Sequence, residues 1–311
     1  MSKSPKSVAP KSVAPKSVAY LGPPGTNSEA AALAYVKHYE KTGAPECLLC
    51  PLPTIAQTLR HVAEGLADKA VVPVENSLEG SVPVTLDTLW QLDVLRIRQA
   101  LVLPISHALI SSAAGLGSIV TVYSHPQALA QCQGWLEQNL PKAQLIPTNS
   151  TSEAVVQVHS DVSAAAIAPK RAAELYGVPV LVHPITPPGR QRNGNDRADN
   201  FTRFWVVSRE TTPACPYPPG GTHTSLGFSF PSNVPGTLVK PMQVFASRGI
   251  NLSRIESRPT KRELGEYLFF IDIECDTRTP SVQTAIEELT ACTETLKIFG
   301  SYNLLTIDPN T

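Results

Sequence analysis

The sequence predicts an α/β protein in two parts, a larger one built on one or two mostly parallel sheets and a smaller ferredoxin-like one at the C-terminal end. Two observations support this fold class. From residue 17 onward one unit recurs five times, namely a short apolar strand, a polar turn with helix-start residues, and an amphipathic or Ala-rich helix. After a Pro- and Gly-rich stretch at residues 209–223, the order becomes β-α-β-β-α-β.

The composition excludes several classes of partner. The 311 residues suffice for about two domains. Lys plus Arg and Asp plus Glu both total 26, so no net field attracts nucleic acid or an anionic membrane. No apolar run approaches the roughly 20 residues of a membrane span, and the N-terminus lacks the apolar segment of a secretory signal. We expect a cytoplasmic protein that binds neither nucleic acid nor membranes.

The six cysteines are scattered through a chain that is long enough to fold without disulfides, so we expect reduced thiols. Cys47 and Cys50 have the CxxC spacing, but no second Cys or His pair lies nearby to complete a tetrahedral metal site. Leu48 and Leu49 between them favour a buried strand instead. The sequence therefore predicts no metal site.

The N-terminus contains a repeat, in which Lys-Ser-Val-Ala occurs at residues 6–9, 11–14 and 16–19. Only the third copy continues into a strand, at residues 18–21. We interpret residues 1–15 as a disordered, duplicated and dispensable leader.

The first strand–helix unit has its strand at residues 18–21, a turn at 22–28 and a helix over 29–39. Thr26 and Glu29 fit a capping box, and two glycines with two prolines shape a tight loop. The other four strands lie at residues 70–74, 119–123, 145–147 and 164–168, and the helices that follow them end near residues 90, 140, 158 and 177. Pro126 suits a first helical position, and Ser150 and Glu153 form a second capping box.

Helix N-termini in such folds gather at the carboxyl ends of the strands, where their unpaired N–H groups favour an anion. The turns carry hydroxyls and amides and neither a metal-ligand set nor a Walker loop, so we expect a small acid and not a nucleotide. The alternative is that these side chains are helix caps and nothing more. They are Thr26, Ser28, Asn76, Ser77, Ser124, Gln127, Ser150 and Thr151.

A second candidate region is the stretch from Asn200 to Phe204, where a polar run at residues 187–199 gives way to the apolar run 205–207. A strand at this junction can hold the Thr202 hydroxyl and the Arg203 guanidinium at fixed positions, while the polar run covers a cleft. Alone, the stretch also fits a strand with a surface charge.

In the C-terminal part, apolar and polar residues alternate as they do in β-strands. Strands are predicted at residues 225–230, 250–257, 267–273 and 295–302, and helices at 238–248 and 282–289.

Together these motifs closely resemble the prephenate dehydratase family with a C-terminal ACT regulatory domain, over residues 18 to about 307. The motifs are Gly22-Pro-Pro-Gly-Thr26 with Ser28, Pro73-Val-Glu-Asn-Ser77 with Gly80, Thr85-Leu-Asp87, Tyr123-Ser-His-Pro-Gln127, Asn200-Phe-Thr-Arg-Phe204, Asn251-Leu252 and Ile255-Glu-Ser-Arg-Pro259. Two positions depart from the family pattern: Asn27 stands where the family has an aromatic residue, and Thr237 where it has alanine.

The resemblance implies a two-lobed catalytic domain, like that of periplasmic binding proteins, followed by a βαββαβ ACT domain. The catalytic domain spans residues 16–208, with one lobe at 16–103 and 186–208 and the other at 104–185. Residues 209–223 form a linker and residues 224–308 the ACT domain.

The resemblance also implies the activity, in which prephenate loses water and carbon dioxide to give phenylpyruvate for L-phenylalanine biosynthesis, without a cofactor. Thr202 is then the central catalytic residue, and Arg203 pairs with a substrate carboxylate. His125 is an alternative proton donor, although its place before Pro126 favours a structural role. The expected substrate-binding residues are Thr26, Ser28, Asn76, Ser77, Thr85, Ser124, Gln127, Ser150, Thr151, Asn200 and Phe204.

Feedback inhibition is the second implied property. ACT domains of this family pair and bind phenylalanine at the pair interface, which implies a homodimer or homotetramer. The expected effector residues are Gly236, Thr237, Leu238, Asn251, Leu252, Glu256, Ser257, Arg258 and Pro259. Two other functions remain open at this point, namely arogenate dehydratase and a non-catalytic sensor of small acids or amino acids.

Overall fold

A computed structural model describes residues 16–41, 46–185, 200–210 and 220–307. The predicted leader and the polar run at 187–199 lie outside these ranges, as does most of the predicted linker. Within them, no helix is long and apolar enough to cross a bilayer, and no three His, Cys, Asp or Glu side chains are grouped to hold a metal ion.

The first lobe consists of β1 (Lys16–Leu21), α1 (Asn27–Glu40), β2 (Cys47–Leu52), α2 (Ile55–Ala63), β3 (Lys69–Asn76), β4 (Gly80–Ser81), α3 (Pro83–Gln91) and β5 (Leu95–Pro104). The second consists of β6 (Ala108–Ile110), β7 (Thr121–Ser124), α4 (Pro126–Gln131), α5 (Gln133–Asn139), β8 (Gln144–Pro147), α6 (Thr151–Gln157), β9 (Ala164–Ala168), α7 (Lys170–Tyr176) and β10 (Val180–Val182). The chain then returns to the first lobe as β11 (Phe201–Arg209).

The sheet of the first lobe has the order β2-β1-β3-β11-β5. Strands β1, β2 and β3 are parallel, as predicted, whereas β11 runs antiparallel to both β3 and β5. The expected return of the chain at residues 200–207 is confirmed, since β11 lies inside this sheet. The strand that carries Thr202 is therefore held from both sides.

The sheet of the second lobe has the order β10-β6-β9-β7-β8 and is also mixed, because β6 is antiparallel to β9 and β10. Helices α4 and α5 pack on one face, through Trp135 and Leu136, while α6 and α7 cover the other. A single helix was expected over residues 128–140, but the structure has two helices, α4 and α5, which meet at Cys132.

The predicted strand around Cys47 and Cys50 is confirmed as β2, but its predicted burial is wrong. Among the described strands, β2 is at the edge of the sheet beside β1, and Leu48 is 53% exposed. Within the described residues, no cysteine forms a disulfide.

The C-terminal part has the predicted βαββαβ order. Its elements are β12 (His223–Ser229), α8 (Val239–Ala246), β13 (Leu252–Pro259), β14 (Tyr267–Ile273), α9 (Pro280–Thr290) and β15 (Thr295–Thr306). The antiparallel sheet has the ferredoxin-like order β13-β14-β12-β15, and both helices pack on one face of it.

Strand β15 is longer than predicted, and its end joins the two parts of the chain. Residues 295–302 pair with β12, whereas Asn303–Thr306 pair in parallel with β5, so that one ten-stranded sheet runs through both parts. The face of the C-terminal sheet that bears no helices packs on the first lobe, where Phe270, Phe299 and Tyr302 share a core with Trp205.

Candidate active site

Thr202 lies at the start of β11, opposite Asn76 at the end of β3. The Asn76 Nδ2 amide donates to Thr202 Oγ1 at 3.0 Å and to Asn200 Oδ1 at 2.8 Å. Because a hydroxyl that accepts one bond keeps its own proton, Thr202 can donate that proton in another direction. The contact with Asn76 therefore leaves the Thr202 proton available for donation.

The orientation of the Asn76 amide follows from its other contacts. Asn76 Oδ1 accepts from the backbone N–H groups of Leu78 and Glu79, at 3.0 and 3.1 Å. Backbone N–H groups can only donate, so the oxygen of the amide must face them and the nitrogen must face Thr202. The turn after β3 thus fixes the polarity of the Thr202 contact.

A polar network connects this pair to the second lobe through Gln131, which is not among the predicted site residues. Gln131 Oε1 accepts from Asn200 Nδ2 at 2.9 Å and lies 2.9 Å from His107 Nε2, while Gln131 Nε2 donates to Glu79. Burial lowers the pKa of His107, although the contact with Gln131 acts in the opposite direction. Gln131 was detectable, because it follows Gln127 by one helical turn on α4.

Arg203 points away from Thr202. Adjacent residues of a strand face opposite sides of the sheet, and the Arg203 guanidinium lies 3.6 Å from the Glu75 carboxylate and 3.3 Å from Asp272 of β14. This geometry differs from the expectation that Arg203 contacts a substrate carboxylate beside Thr202, since both of its partners are protein carboxylates on the other face.

Three other predicted residues support the strands that carry Asn76 and Thr202. The Thr85 hydroxyl of α3 is fully buried and donates to the Pro73 carbonyl of β3, and the Ser77 hydroxyl accepts from Phe201 N–H at 2.9 Å. Phe204 is buried in the core beneath α1, not at a surface that a ligand can reach. These side chains hold β3 and β11 in place.

The turn before α1 lies against the second lobe. The Thr26 hydroxyl caps α1 by accepting from Glu29 N–H, as predicted, but the Glu29 carboxylate closes the turn by accepting from Gly25 N–H and pairs across the lobe boundary with Arg171 of α7 at 2.8 Å. Burial, with the nearby Glu29 carboxylate, raises the pKa of Tyr20 to about 12. Gly25 has φ +85, and a Cβ there would lie 2.9 Å from the Ser152 hydroxyl. The lobes are therefore in contact along this turn.

The remaining predicted polar residues are at helix starts. Ser150 caps α6, which begins at Thr151, and Ser28 is buried in the first turn of α1. The fully buried Ser124 hydroxyl donates to the Ile167 carbonyl. His125 caps α4, because its Nδ1 accepts from Gln127 N–H at 3.3 Å, and burial lowers the His125 pKa although the Glu79 charge opposes this.

The expected effector residues fall into two groups. Gly236, Thr237 and Leu238 line a cavity of about 630 Å³ together with Phe230, Asn233, Leu264, Tyr267 and Phe269. Arg258 instead reaches the catalytic part, where it and Lys261 pair with Asp87 of α3. Glu256, Ser257 and Pro259 share β13 with Arg258; Leu252 begins that strand and Asn251 precedes it. The cavity thus takes in the turn before α8 but not β13.

Comparisons with known proteins agree with this architecture. A family model for prephenate dehydratase matches residues 18–212, and a model for the ACT domain matches residues 224–291. A bifunctional chorismate mutase/prephenate dehydratase from Aquifex aeolicus is 39% identical over 287 residues, which cover 91% of this chain and 72% of that protein. A prephenate dehydratase from Amycolatopsis methanolica is 37% identical over 285 residues, covering 91% and 87%. The crystal structure of a prephenate dehydratase from Arthrobacter aurescens in complex with L-Phe has a TM-score of 0.78 and 34% identity, covering 92% of this chain and 90% of that one.

Proposed function

The chain belongs to the prephenate dehydratase family, and we propose that it converts prephenate to phenylpyruvate at the Thr202 site between its two lobes. The enzyme is a carbon–oxygen lyase of phenylalanine biosynthesis. The observation that supports this site most directly is the contact from Asn76 Nδ2 to Thr202 Oγ1, which leaves the threonine proton free to be donated.

The reaction consumes one proton. As the ring hydroxyl leaves, the bond to the ring carboxylate breaks, its electron pair enters the ring, and carbon dioxide and water are released. Because the ring becomes aromatic, the reaction is driven strongly forward. The enzyme's task is to hold a dianion and to assist departure of a poor leaving group with a proton or a strong hydrogen bond.

Thr202 performs this task as an oriented donor. A threonine hydroxyl is a weak acid in water, but a donor that is already aligned needs no reorganisation when charge develops on the leaving oxygen. Neighbouring hydroxyls or water then replace its proton. Asn76, Asn200 and Gln131 hold the donor and link both lobes, so closure of the lobes completes the site.

The substrate carboxylates are held by N–H groups of the helix-start turns at the carboxyl ends of the strands. Arg203 does not bind a substrate carboxylate, because its guanidinium is paired with the carboxylates of Glu75 and Asp272. Its contribution is to position β11.

Substitution of Thr202 tests the proposal. Thr202→Ser keeps the donor and should retain appreciable kcat on prephenate, whereas Thr202→Val keeps the shape without the donor and should lose roughly 10²- to 10⁴-fold. Both variants are assayed on prephenate and on arogenate, with unchanged melting temperature as the control for folding. A valine variant as fast as the wild type would remove Thr202 from the mechanism, and absence of turnover by the wild type would remove the function.

Phenylalanine is the proposed inhibitor, and the cavity before α8 is its proposed site. Phe230, Leu238 and Phe269 offer an apolar surface for a phenyl ring, while Thr237 and Asn233 offer polar groups near the turn. Thr237→Arg would fill this cavity and should abolish phenylalanine binding in calorimetry and inhibition in the assay. Persistent binding would place the effector elsewhere.

The assembly is a homodimer or homotetramer that pairs through the ACT domains. Leu264 is fully exposed and Val234, Val239 and Tyr267 are about half exposed around the effector cavity, which is the apolar surface that a partner copy would cover. Light scattering on the purified protein measures the assembly, and a monomer would contradict it.

A further inference from the structure

A buried ion cluster lies where the ACT sheet packs on the catalytic sheet. Asp272 of β14 is fully buried and accepts from Arg254 of β13 at 2.8 and 3.3 Å. The same carboxylate accepts from Arg203 of β11 at 3.3 Å. One side chain of the regulatory domain is therefore bound directly to the residue that follows Thr202.

A second contact ties the same strand to the cluster. The Arg254 guanidinium lies over the Trp205 ring of β11, 5.4 Å from its centre, and Trp205 also packs edge-on against Tyr302 of β15. Within the described residues, Arg254 Nη1 is buried without a hydrogen-bond partner. A buried charge cluster with an unsatisfied donor contributes little to stability. Its best-attested use is to specify a single relative position of the elements that it joins, here the ACT sheet and the catalytic sheet.

Strand β14 connects this cluster to the effector cavity. Tyr267 and Phe269 line the cavity, and Asp272 lies further along the same strand. A ligand that shifts the cavity end of β14 can therefore reach, along three residues of the same strand, the carboxylate that holds Arg203.

We propose that Asp272 is a positioning residue for the dehydration, which through Arg203 fixes the part of β11 that presents Thr202 to the substrate. The regulatory domain then contributes to the active site even without effector, and phenylalanine inhibits by moving Asp272. The proposal rests on the role of Thr202 given above. It differs from a purely structural interface because it predicts changes in kcat and in the mobility of β11, not only in stability.

The test uses the full-length protein with Arg203→Gln, Asp272→Asn and the double variant, assayed on prephenate. Each single variant should lower kcat by about 10- to 100-fold with little change in KM, because a small displacement of a catalytic group is costly while ground-state binding is untouched. The double variant should lose less kcat than the product of the two single losses, because both single variants remove the Arg203–Asp272 contact. Arg203→Lys should retain more kcat than Arg203→Gln.

Asp93→Asn is the matched control. Asp93 pairs with Lys297 across the same domain boundary but contacts no residue of β11 in the described ion pairs, so this variant should keep the wild-type kcat. A folded Asp272→Asn enzyme with wild-type kcat would overturn the proposal. So would additive losses in the double variant, or an Arg203→Gln effect confined to KM. If Asp272→Asn does not fold, the two Arg203 variants decide alone, because they leave the Asp272–Arg254 pair intact.

Amide hydrogen exchange of residues 201–209 separates this proposal from the proposed function, because it needs no turnover. Exchange in β11 should be faster in Asp272→Asn than in the wild type. Phenylalanine should change it in the wild type but not in the variant. Unchanged exchange would refute the positioning role even if prephenate is the substrate, and absence of turnover by the wild type would refute the function alone.

Discussion

At the scale of single residues, the direction of one hydrogen bond decides what Thr202 can do. Asn76 donates to the hydroxyl only because Leu78 and Glu79 N–H groups occupy its carbonyl oxygen. A side chain of the same shape that accepts instead would turn the threonine proton away from the substrate.

Asn76→Asp makes this change with almost no difference in volume. The carboxylate would accept the Thr202 proton and repel a dianion, so kcat/KM on prephenate should fall by roughly 10²- to 10⁴-fold. Asn303→Asp is the control, because Asn303 Oδ1 already accepts, from Thr222 N–H, and aspartate preserves that bond. Wild-type kinetics in Asn76→Asp would show that the polarity of this contact is irrelevant.

His125 provides a pH test of the proton source. Burial holds the His125 pKa below its usual range, so the imidazole is neutral at pH 7 and serves as a cap. His125→Asn retains a good capping residue and should leave the pH profile of kcat unchanged. Loss of an ionisation from that profile would instead make His125 the acid.

The same pKa shift sets the sign of a stability effect. The unfolded state binds a proton as the pH falls through about 6.5, whereas folded His125 does so only at lower pH. The histidine therefore costs the wild type stability on the acid side. The melting temperature of His125→Asn should fall less than that of the wild type between pH 7 and pH 5.

At the scale of elements, β15 decides how the two parts of the chain are joined. It stays paired with β12 as far as Tyr302, with a register shift next to Gly300, and pairs with β5 from Asn303 onward. Gly300 has φ +147, and a Cβ there would lie 2.4 Å from the Ile97 carbonyl oxygen of β5. Only glycine fits this crossing without displacement of one strand.

Gly300→Ala should therefore destabilise the junction, lowering the free energy of unfolding by about 1–3 kcal/mol through overpacking. Gly117→Ala is the control, because a Cβ at Gly117 would meet no atom of the described residues within 4 Å. Equal melting temperatures of the two variants would contradict the close approach of β15 to β5.

This junction also bears on removal of the regulatory domain. A chain that ends near Arg209 loses the strand that pairs with β5 and the aromatic cover of Trp205. We expect such a truncated enzyme to be insensitive to phenylalanine but less stable, so its activity reports both effects. Point variants of the effector cavity separate them.

At the scale of the whole molecule, the two lobes are held together on both sides of the site. Gln131 bridges them near Asn200, and the Glu29–Arg171 pair bridges them at the turn before α1. If the closed arrangement is the one that binds substrate, any loss of closure lowers the apparent affinity by the fraction of closed molecules.

Glu29→Gln keeps the acceptor for Gly25 N–H but removes the charge that attracts Arg171. Because a partly exposed ion pair is worth about 1 kcal/mol at most, KM for prephenate should rise by about fivefold or less, with a smaller change in kcat. Glu174→Gln, which removes an exposed pair within α7, is the control and should leave KM unchanged. An unchanged KM in Glu29→Gln would show that this pair does not set closure.

The sequence alone determined the repeated strand–helix units, the βαββαβ order and the motifs that identify the family, because apolar periodicity, capping residues and turn glycines act over a few neighbouring residues. It also indicated the Thr202 stretch and the Asn76 turn, although their pairing across β3 and β11 is a long-range contact. Gln131 could have been predicted from helical spacing, because it follows Gln127 by one turn. No pattern among the neighbours of His107 in the sequence indicates its position in the site.

Only the tertiary structure decided on which face each side chain lies and what it meets there. Thr202 and Arg203 are neighbours in sequence, yet one faces Asn76 and the other Asp272. Strand register and face depend on partners far along the chain, and a shift of one residue would exchange the two sides. For the same reason the sequence did not reveal that β15 joins both sheets, which brings the regulatory domain into contact with the strand that carries the catalytic hydroxyl.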